Sequence, residues 1–181
     1  MPVQRGFGVC LFEWSNGYRL RLISAHLKSK LFHPLGQTDM RRYEARQLRY
    51  LVDAAIKAAP EENLLVVGDL NDSPDSSPLS TLMARSYSAP KRLYDLRPTD
   101  RYGLAWTHDF AAQDVYSRID YALASYGLVP EVVPAETLLP VLEAAPQASD
   151  HRPLVIVIRP RDSAPADALF ESYPRNVRRS K

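Results

Sequence analysis

Leu64-Leu65-Val66-Val67 is an unbroken apolar run that ends abruptly in Gly68-Asp69-Leu70-Asn71-Asp72. Side chains on a strand alternate between faces, so such a run fits a strand only when both faces are buried, as in a covered α/β sheet. The preceding segment supplies a cover. From Thr38 and Asp39, both able to cap, apolar side chains recur at Met40, Tyr43, Leu48, Leu51, Val52, Ala55, Ile56 and Ala59, close to helical spacing, until Pro60 stops the pattern. The outward face of this helix is expected to carry Arg41, Arg42, Arg46 and Arg49. Further upstream, an apolar run from Phe7 to Trp14, the turn Ser15-Asn16-Gly17 and a second run from Tyr18 to Ala25 predict a hairpin, because Asn-Gly tolerates the positive φ of a tight turn.

Downstream the pattern is sparser. Ser77 before Pro78 predicts an N-cap and a short helix through about Met83. The stretch from Ala89 to Asp114 has weak periodicity and is expected to contain a long loop. Ser117 to Ala124 alternates as a strand does, and Pro153 to Ile158 reads as the last strand. Eight of the fifteen prolines lie from Pro130 onward, and the polar stretch after residue 159 is expected to be a disordered tail. The domain expectation is therefore one unit over residues 1–159 and a tail over 160–181.

Composition narrows the class. Cys10 is the single cysteine, so no intrachain disulfide forms and stability must come from packing. No signal-peptide pattern occupies residues 1–20 and no segment has about 18 consecutive apolar residues, so a cytoplasmic protein without a transmembrane segment is expected. The net charge of +2 hides an asymmetry: residues 1–57 carry ten Lys/Arg and four Asp/Glu, leaving an excess of four negative charges in the remainder. A basic front half suits either a polyanion or merely a solvated helix face.

The chemistry lies where strands end. His26, Asp69 with Asn71, and Asp150 with His151 each adjoin an apolar strand, and a rigid sheet holds such termini in fixed relation. Carboxylate and amide oxygens suit a hard cation such as Mg²⁺, which is held by one or two carboxylates plus substrate phosphate oxygens. No Cys pair, no HExxH spacing and no Gly-rich GK[ST] loop occurs, which argues against structural zinc, a zinc protease and a P-loop NTPase. What remains is a hydrolytic site for phosphate esters, in which a carboxylate handles water and imidazoles handle charge. His33 and His108 are taken as non-catalytic.

Four segments, Ser24-Ala25-His26-Leu27-Lys28-Ser29, Gly68-Asp69-Leu70-Asn71-Asp72, Arg118-Ile119-Asp120-Tyr121 and Ser149-Asp150-His151-Arg152-Pro153, resemble in this order the signatures of the endonuclease/exonuclease/phosphatase superfamily. The resemblance implies a four-layer α/β sandwich, two packed β-sheets flanked by helices. It implies that His26 donates to the scissile phosphate or leaving oxygen and that Asp69 activates or aligns the attacking water. Asn71 would help hold that water and the phosphate, and His151 would contact the phosphate. Asp120 would orient His151, and Asp150 would contact the metal, Mg²⁺ or Mn²⁺. Arg118 and Asp120 could instead form a structural ion pair.

The chain departs from the family pattern. An early Asn-bearing strand and the following Glu that is usually a principal metal ligand have no counterpart, since Glu13 falls within the hairpin and Glu44 on a helix. The expectation is therefore the C-terminal portion of the fold, with the N-terminal half absent, an apolar sheet face left exposed, and association with itself or with a missing half. Two outcomes follow: a phosphoesterase acting on nucleic acid or another phosphate ester, including the phosphatase and phospholipid branches, or a catalytically inert fragment that binds a partner or nucleic acid.

Overall fold

The structure, a computed structural model, describes residues 3–60, 62–142 and 145–160. The expected tail beyond Pro160 lies outside the described residues. Strands β1 (Phe7–Glu13) and β2 (Arg19–Ala25) form the predicted antiparallel hairpin. Gly17 takes φ 87°, Gly17 N donates to Trp14 O (2.9 Å) and Trp14 N donates to Tyr18 O (2.9 Å). The turn thus closes as a wider loop in which glycine alone supplies the left-handed backbone.

Helix α1 (Gln37–Ala58) crosses from β2 to β3 (Leu64–Asp69), and these two strands pair in parallel. Helix α2 (Ser77–Met83) and β4 (Leu93–Asp95) follow, then the small hairpin of β5 (His108–Phe110) and β6 (Val115–Ser117), and β7 (Asp120–Ser125). A short α3 spans Ala145–Ala148. The main sheet has the order β1-β2-β3-β7-β4, with β7 antiparallel to both neighbours. The expected mixed α/β fold is present, with one five-stranded and one two-stranded sheet among the described residues.

The apolar run of β3 explains this order. Leu64 and Val66, both fully buried, join Leu48, Val52, Leu79, Leu82 and Leu123 in the core under α1 and α2. Leu65 and Val67 point to the opposite face, where Leu96, Ala122, Ala124 and Leu128 form a second core with Leu154, Ile156 and Ile158 packed on it. Each large apolar side chain buried here contributes roughly 1.5–3 kcal/mol. At the outer edge β1 lacks such cover: Val9 and Leu11 on one face and Phe12 on the other, with Trp14 just beyond the strand, are 48%, 42%, 44% and 46% exposed. No helix among the described residues is long and apolar enough to cross a membrane.

Several expectations need correction. Neither Thr38 nor Asp39 caps α1; its N-cap is Gly36, without a side-chain hydrogen bond, and Asp39 pairs with Arg42 instead. The cap of α2 is Ser76, one residue earlier than expected, accepting from Leu79 N, while Pro78 occupies the first turn. The stretch 89–114 does contain the expected long loop, residues 96–107, but β4 and β5 flank it. Conversely, residues 153–158 make no regular strand; Val155 bridges Leu138 and Ile158 bridges Val132. Pro153 has no N–H to give, and Pro134 and Pro140 interrupt the facing segment.

The charge reading changes most. Arg41 and Arg49 are 4% and 5% exposed, not outward. Arg41 bonds Asp72 Oδ2 (3.0 Å) and the Ser29 carbonyl (3.1 Å). Arg49 ties Asp53 to the carbonyls of Leu82 and Lys91. With Arg21 bidentate on Glu62, three of the front-half cations serve the fold.

Candidate active site

The carboxyl-terminal end of β3 meets the start of β7, and their register places Asp69 opposite Asp120. On its other side β3 closes on β2 through Gly68: at φ +135° it lies so close to β2 that an added Cβ would sit 2.0 Å from Ala25 O. Leu27 N then donates to Asp69 O (2.9 Å), which holds the end of β2 and the following loop against β3. His26 sits beside this bond, its Nε2 3.3 Å from Asp69 Oδ2, with the imidazole half exposed.

Asn71, at φ 54°, turns the chain back over Asp69. Its backbone N–H donates to Asp69 Oδ1 (2.8 Å) and its Nδ2 to Asp69 Oδ2 (2.9 Å) and Leu27 O (3.1 Å). Both amide hydrogens are thus engaged, and Oδ1 is the part of Asn71 left for another partner. Burial, with the nearby Asp120 charge, pushes the Asp69 carboxyl above the usual carboxylate range, although Asn71 N, His26 and His151 pull the other way.

His151 reaches the cluster from the other side. Its Nδ1 lies 2.8 Å from Asp120 Oδ2, and Asp120 and Ile119 both donate backbone N–H to the buried Thr107 Oγ1 (3.1 Å each). The question left open for Asp120 is thereby answered: Arg118 pairs bidentately with Asp95 (2.9 and 2.7 Å), not with Asp120. Glu44, which had no assigned role, is buried and accepts from Lys28 N and Gln4 N, fixing the loop after His26.

The structure therefore brings His26, Asp69, Asn71, Asp120 and His151 together. Asp150 stands apart from the carboxylate pair; its exposed side chain faces His108, with His108 Nε2 3.6 Å from Asp150 Oδ2. Sequence reasoning missed Thr107 and set His108 aside, because only the β5–β6 register and the His108–His151 bridge bring them here. Ligand atoms of Asp69, Asp120 and His151 all lie within 4.8 Å of one another. Two carboxylates this close, one with its carboxyl already pushed up, form a donor set that a hard divalent cation fits.

A mixed α/β sheet whose strand ends gather acids, an amide and imidazoles defines the class of fold and site to which the chain can be compared. The chain belongs to the Endonuclease/Exonuclease/phosphatase family, whose model matches residues 8–151. That family comprises phosphoester hydrolases that are generally dependent on a divalent metal. No curated protein matches the sequence.

Solved structures share the fold. A beta toxin from Staphylococcus aureus is 18% identical with a TM-score of 0.56, over 85% of this chain and 57% of that one. The mannosyl-6-phosphatase Bt3783 of Bacteroides thetaiotaomicron is 17% identical with a TM-score of 0.53, over 84% and 57%. Sphingomyelinase C from Streptomyces griseocarneus is 20% identical with a TM-score of 0.50, over 67% and 42%. The chain thus spans about two-fifths to three-fifths of the length of these structures.

Proposed function

We propose that this chain carries out metal-dependent hydrolysis of phosphate esters, with phosphodiester bonds in nucleic acid as its substrate. The observation that supports it best is the Asp69–Asp120 register pair, flanked by His26 and by His151. Asp69 takes the proton of the attacking water, a task suited to a carboxylate whose basicity burial has raised. Asn71 holds that carboxylate in place through two hydrogen bonds and presents Oδ1 to the water. His26 donates a proton toward the leaving oxygen. His151, steadied at Nδ1 by Asp120, presents Nε2–H to the phosphate oxygens where negative charge builds. Asp150, whose set shares His151 with the Asp69–Asp120–His151 set, would help to hold a divalent cation, Mg²⁺ or Mn²⁺, and that ion would supply neutralisation of phosphate charge.

The functional unit in this reading is residues 1–159. The exposed apolar edge of β1 suits association with a second copy or with further polypeptide. One observation favours a second substrate. The loop following His26 exposes Leu31, Phe32 and Leu35 by 76%, 84% and 57%, an apolar rim that suits the phosphodiester of a phospholipid.

The test uses the purified chain with Mg²⁺ or Mn²⁺ against plasmid DNA, bis(p-nitrophenyl) phosphate, p-nitrophenyl phosphate and phosphatidylcholine vesicles. Cleavage of DNA and the diester, abolished by EDTA and in Asp69→Asn and His151→Ala, is expected. Unchanged rates in both variants overturn the residue roles, and cleavage of the monoester alone makes the chain a phosphatase. Cleavage of vesicle lipid but not DNA selects the second reading. No turnover on any substrate identifies an inert fragment.

A further inference from the structure

We infer that His108, Asp150 and His151 form a binding site for a borderline transition-metal ion of the Zn²⁺ class. The family resemblance gives only Asp150 a metal contact, and for a hard cation. Three observations carry the inference.

Each of the three residues offers a ligand atom within 4.8 Å of the others. His108 Nε2 and Asp150 Oδ2 are 3.6 Å apart, close to the edge of about 3.4 Å in a tetrahedron with metal–ligand bonds near 2.1 Å. The two imidazoles are neighbours, with ring centroids 4.7 Å apart and planes inclined by 57°.

Both imidazoles are also held from behind through Nδ1. Asp120 Oδ2 is 2.8 Å from His151 Nδ1, and Ser117 Oγ is 3.4 Å from His108 Nδ1. An Nδ1–H spent on an oxygen leaves the Nε2 lone pair as the metal-binding atom, the arrangement that metal-ligating histidines almost always show.

The backbone fixes the spacing. Arg152 N donates to Thr107 O (2.7 Å) and Asp109 N to Asp150 O (2.9 Å), so segments 107–109 and 150–152 are locked together on either side of the three side chains. Two histidines and one exposed carboxylate make a composition that Zn²⁺ favours, and imidazole suits such ions better than Mg²⁺. No sequence spacing encodes this set, because 42 positions separate His108 from Asp150.

The competing explanation is an ordinary ion pair between a charged His108 and Asp150. The inference rests on the proposed phosphoesterase reading only for one consequence: Zn²⁺ on His151 Nε2 displaces the proton used there, so Zn²⁺ lowers Mg²⁺-supported turnover. Binding itself is read without substrate, so failure of either reading leaves the other standing.

The test is calorimetric titration of the metal-stripped 181-residue chain with Zn²⁺ and with Mg²⁺, together with Co²⁺ visible absorption. One saturable Zn²⁺ site is expected, bound at least about 100-fold more tightly than Mg²⁺, with proton release. His108→Ala should weaken Zn²⁺ binding by more than tenfold and bleach the Co²⁺ bands, and Asp120→Asn should weaken it about 10–100-fold. Spectra of the unmutated chain labelled with ¹⁵N-histidine keep the test independent of variant folding: Zn²⁺ should shift the Nε2 resonances of His108 and His151. Absence of a saturable Zn²⁺ site, Zn²⁺ bound no tighter than Mg²⁺, or unshifted Nε2 resonances at Zn²⁺ saturation overturns the inference.

Discussion

Gly68→Ala tests the link between the core and the candidate site. A Cβ at this position would lie 2.0 Å from Ala25 O, about 1.4 Å short of the 3.4 Å at which ordinary contact begins, and the obstacle is backbone rather than a movable side chain. The residue must also keep φ near +135°, which an L side chain tolerates at a cost of order 1–3 kcal/mol. Forcing β2 from β3 adds an overpacking cost of about 1–3 kcal/mol. The expected loss is therefore about 2–6 kcal/mol, and at roughly 2–4 °C per kcal/mol for a chain of this size even 3 kcal/mol lowers Tm by about 6–12 °C. The same displacement separates Ala25-His26 from Gly68-Asp69, so a shift near 1 Å should cost about 100-fold in turnover, measured well below Tm. Thermal melting by circular dichroism and hydrolysis of bis(p-nitrophenyl) phosphate read the two effects. A Tm within about 1 °C of the parent with undiminished turnover refutes the reasoning, because the strands would then accommodate a Cβ that this packing forbids.

Arg49→Ala should cost about 2–4 kcal/mol by stranding the Leu82 and Lys91 carbonyls, whereas Arg46→Ala on the exposed face should change stability by less than about 0.5 kcal/mol; urea melts distinguish them. Burial pushes the Asp100 carboxyl up, but hydrogen bonds from Leu104 N, Tyr102 N and Arg152 outweigh it and hold the group below the usual carboxylate range. A lowered folded-state pKa contributes stability that is complete above the unfolded value and lost as pH falls through the folded one. Asp100→Asn should therefore flatten the fall in Tm between about pH 5 and pH 2, and an unchanged pH profile counts against this role. Asp120→Asn should lower phosphoester turnover at least about tenfold with little change in Tm, because His151 loses the acceptor at Nδ1; equal turnover removes Asp120 from the proposed site.

The legible parts of the sequence are those in which one local rule acts alone. Asn16-Gly17 specifies a turn and Leu64–Val67 specifies a doubly buried strand whatever surrounds them. Pro60 ends the helical pattern because no ring nitrogen can continue it. Long-range choices were hidden. Arg41 and Arg49 fit a solvated helix face by composition, and only the tertiary partners Asp72, Leu82 O and Lys91 O turn them inward. Strand 153–158 has the right side chains but meets a proline-broken neighbour, so its apolar residues pack without a ladder. For the site, motif order indicated His26, Asp69, Asn71, Asp120, Asp150 and His151. It could not indicate Thr107 or His108, whose position depends on a three-residue register between β5 and β6.

The separation between the two acidic groups of the site is a property of the core. Asp69 and Asp120 face each other because Leu65, Val66 and Val67 pair with Ala124, Leu123 and Ala122 in the same ladder. Slipping that ladder by one residue would turn Val66 and Leu123 out of the helix-covered core, so side-chain burial on both faces sets the carboxylate spacing. The uncovered strand β1 touches this ladder only through β2. Exposed Val9, Leu11, Phe12 and Trp14 therefore weigh on solubility and association, while the geometry of the candidate site answers to residues two and three strands further in. Charged substitutions at Leu11 and Phe12 should accordingly lower self-association, read by sedimentation velocity, and leave hydrolysis of bis(p-nitrophenyl) phosphate unchanged, because neither side chain lies in the ladder that spaces Asp69 and Asp120.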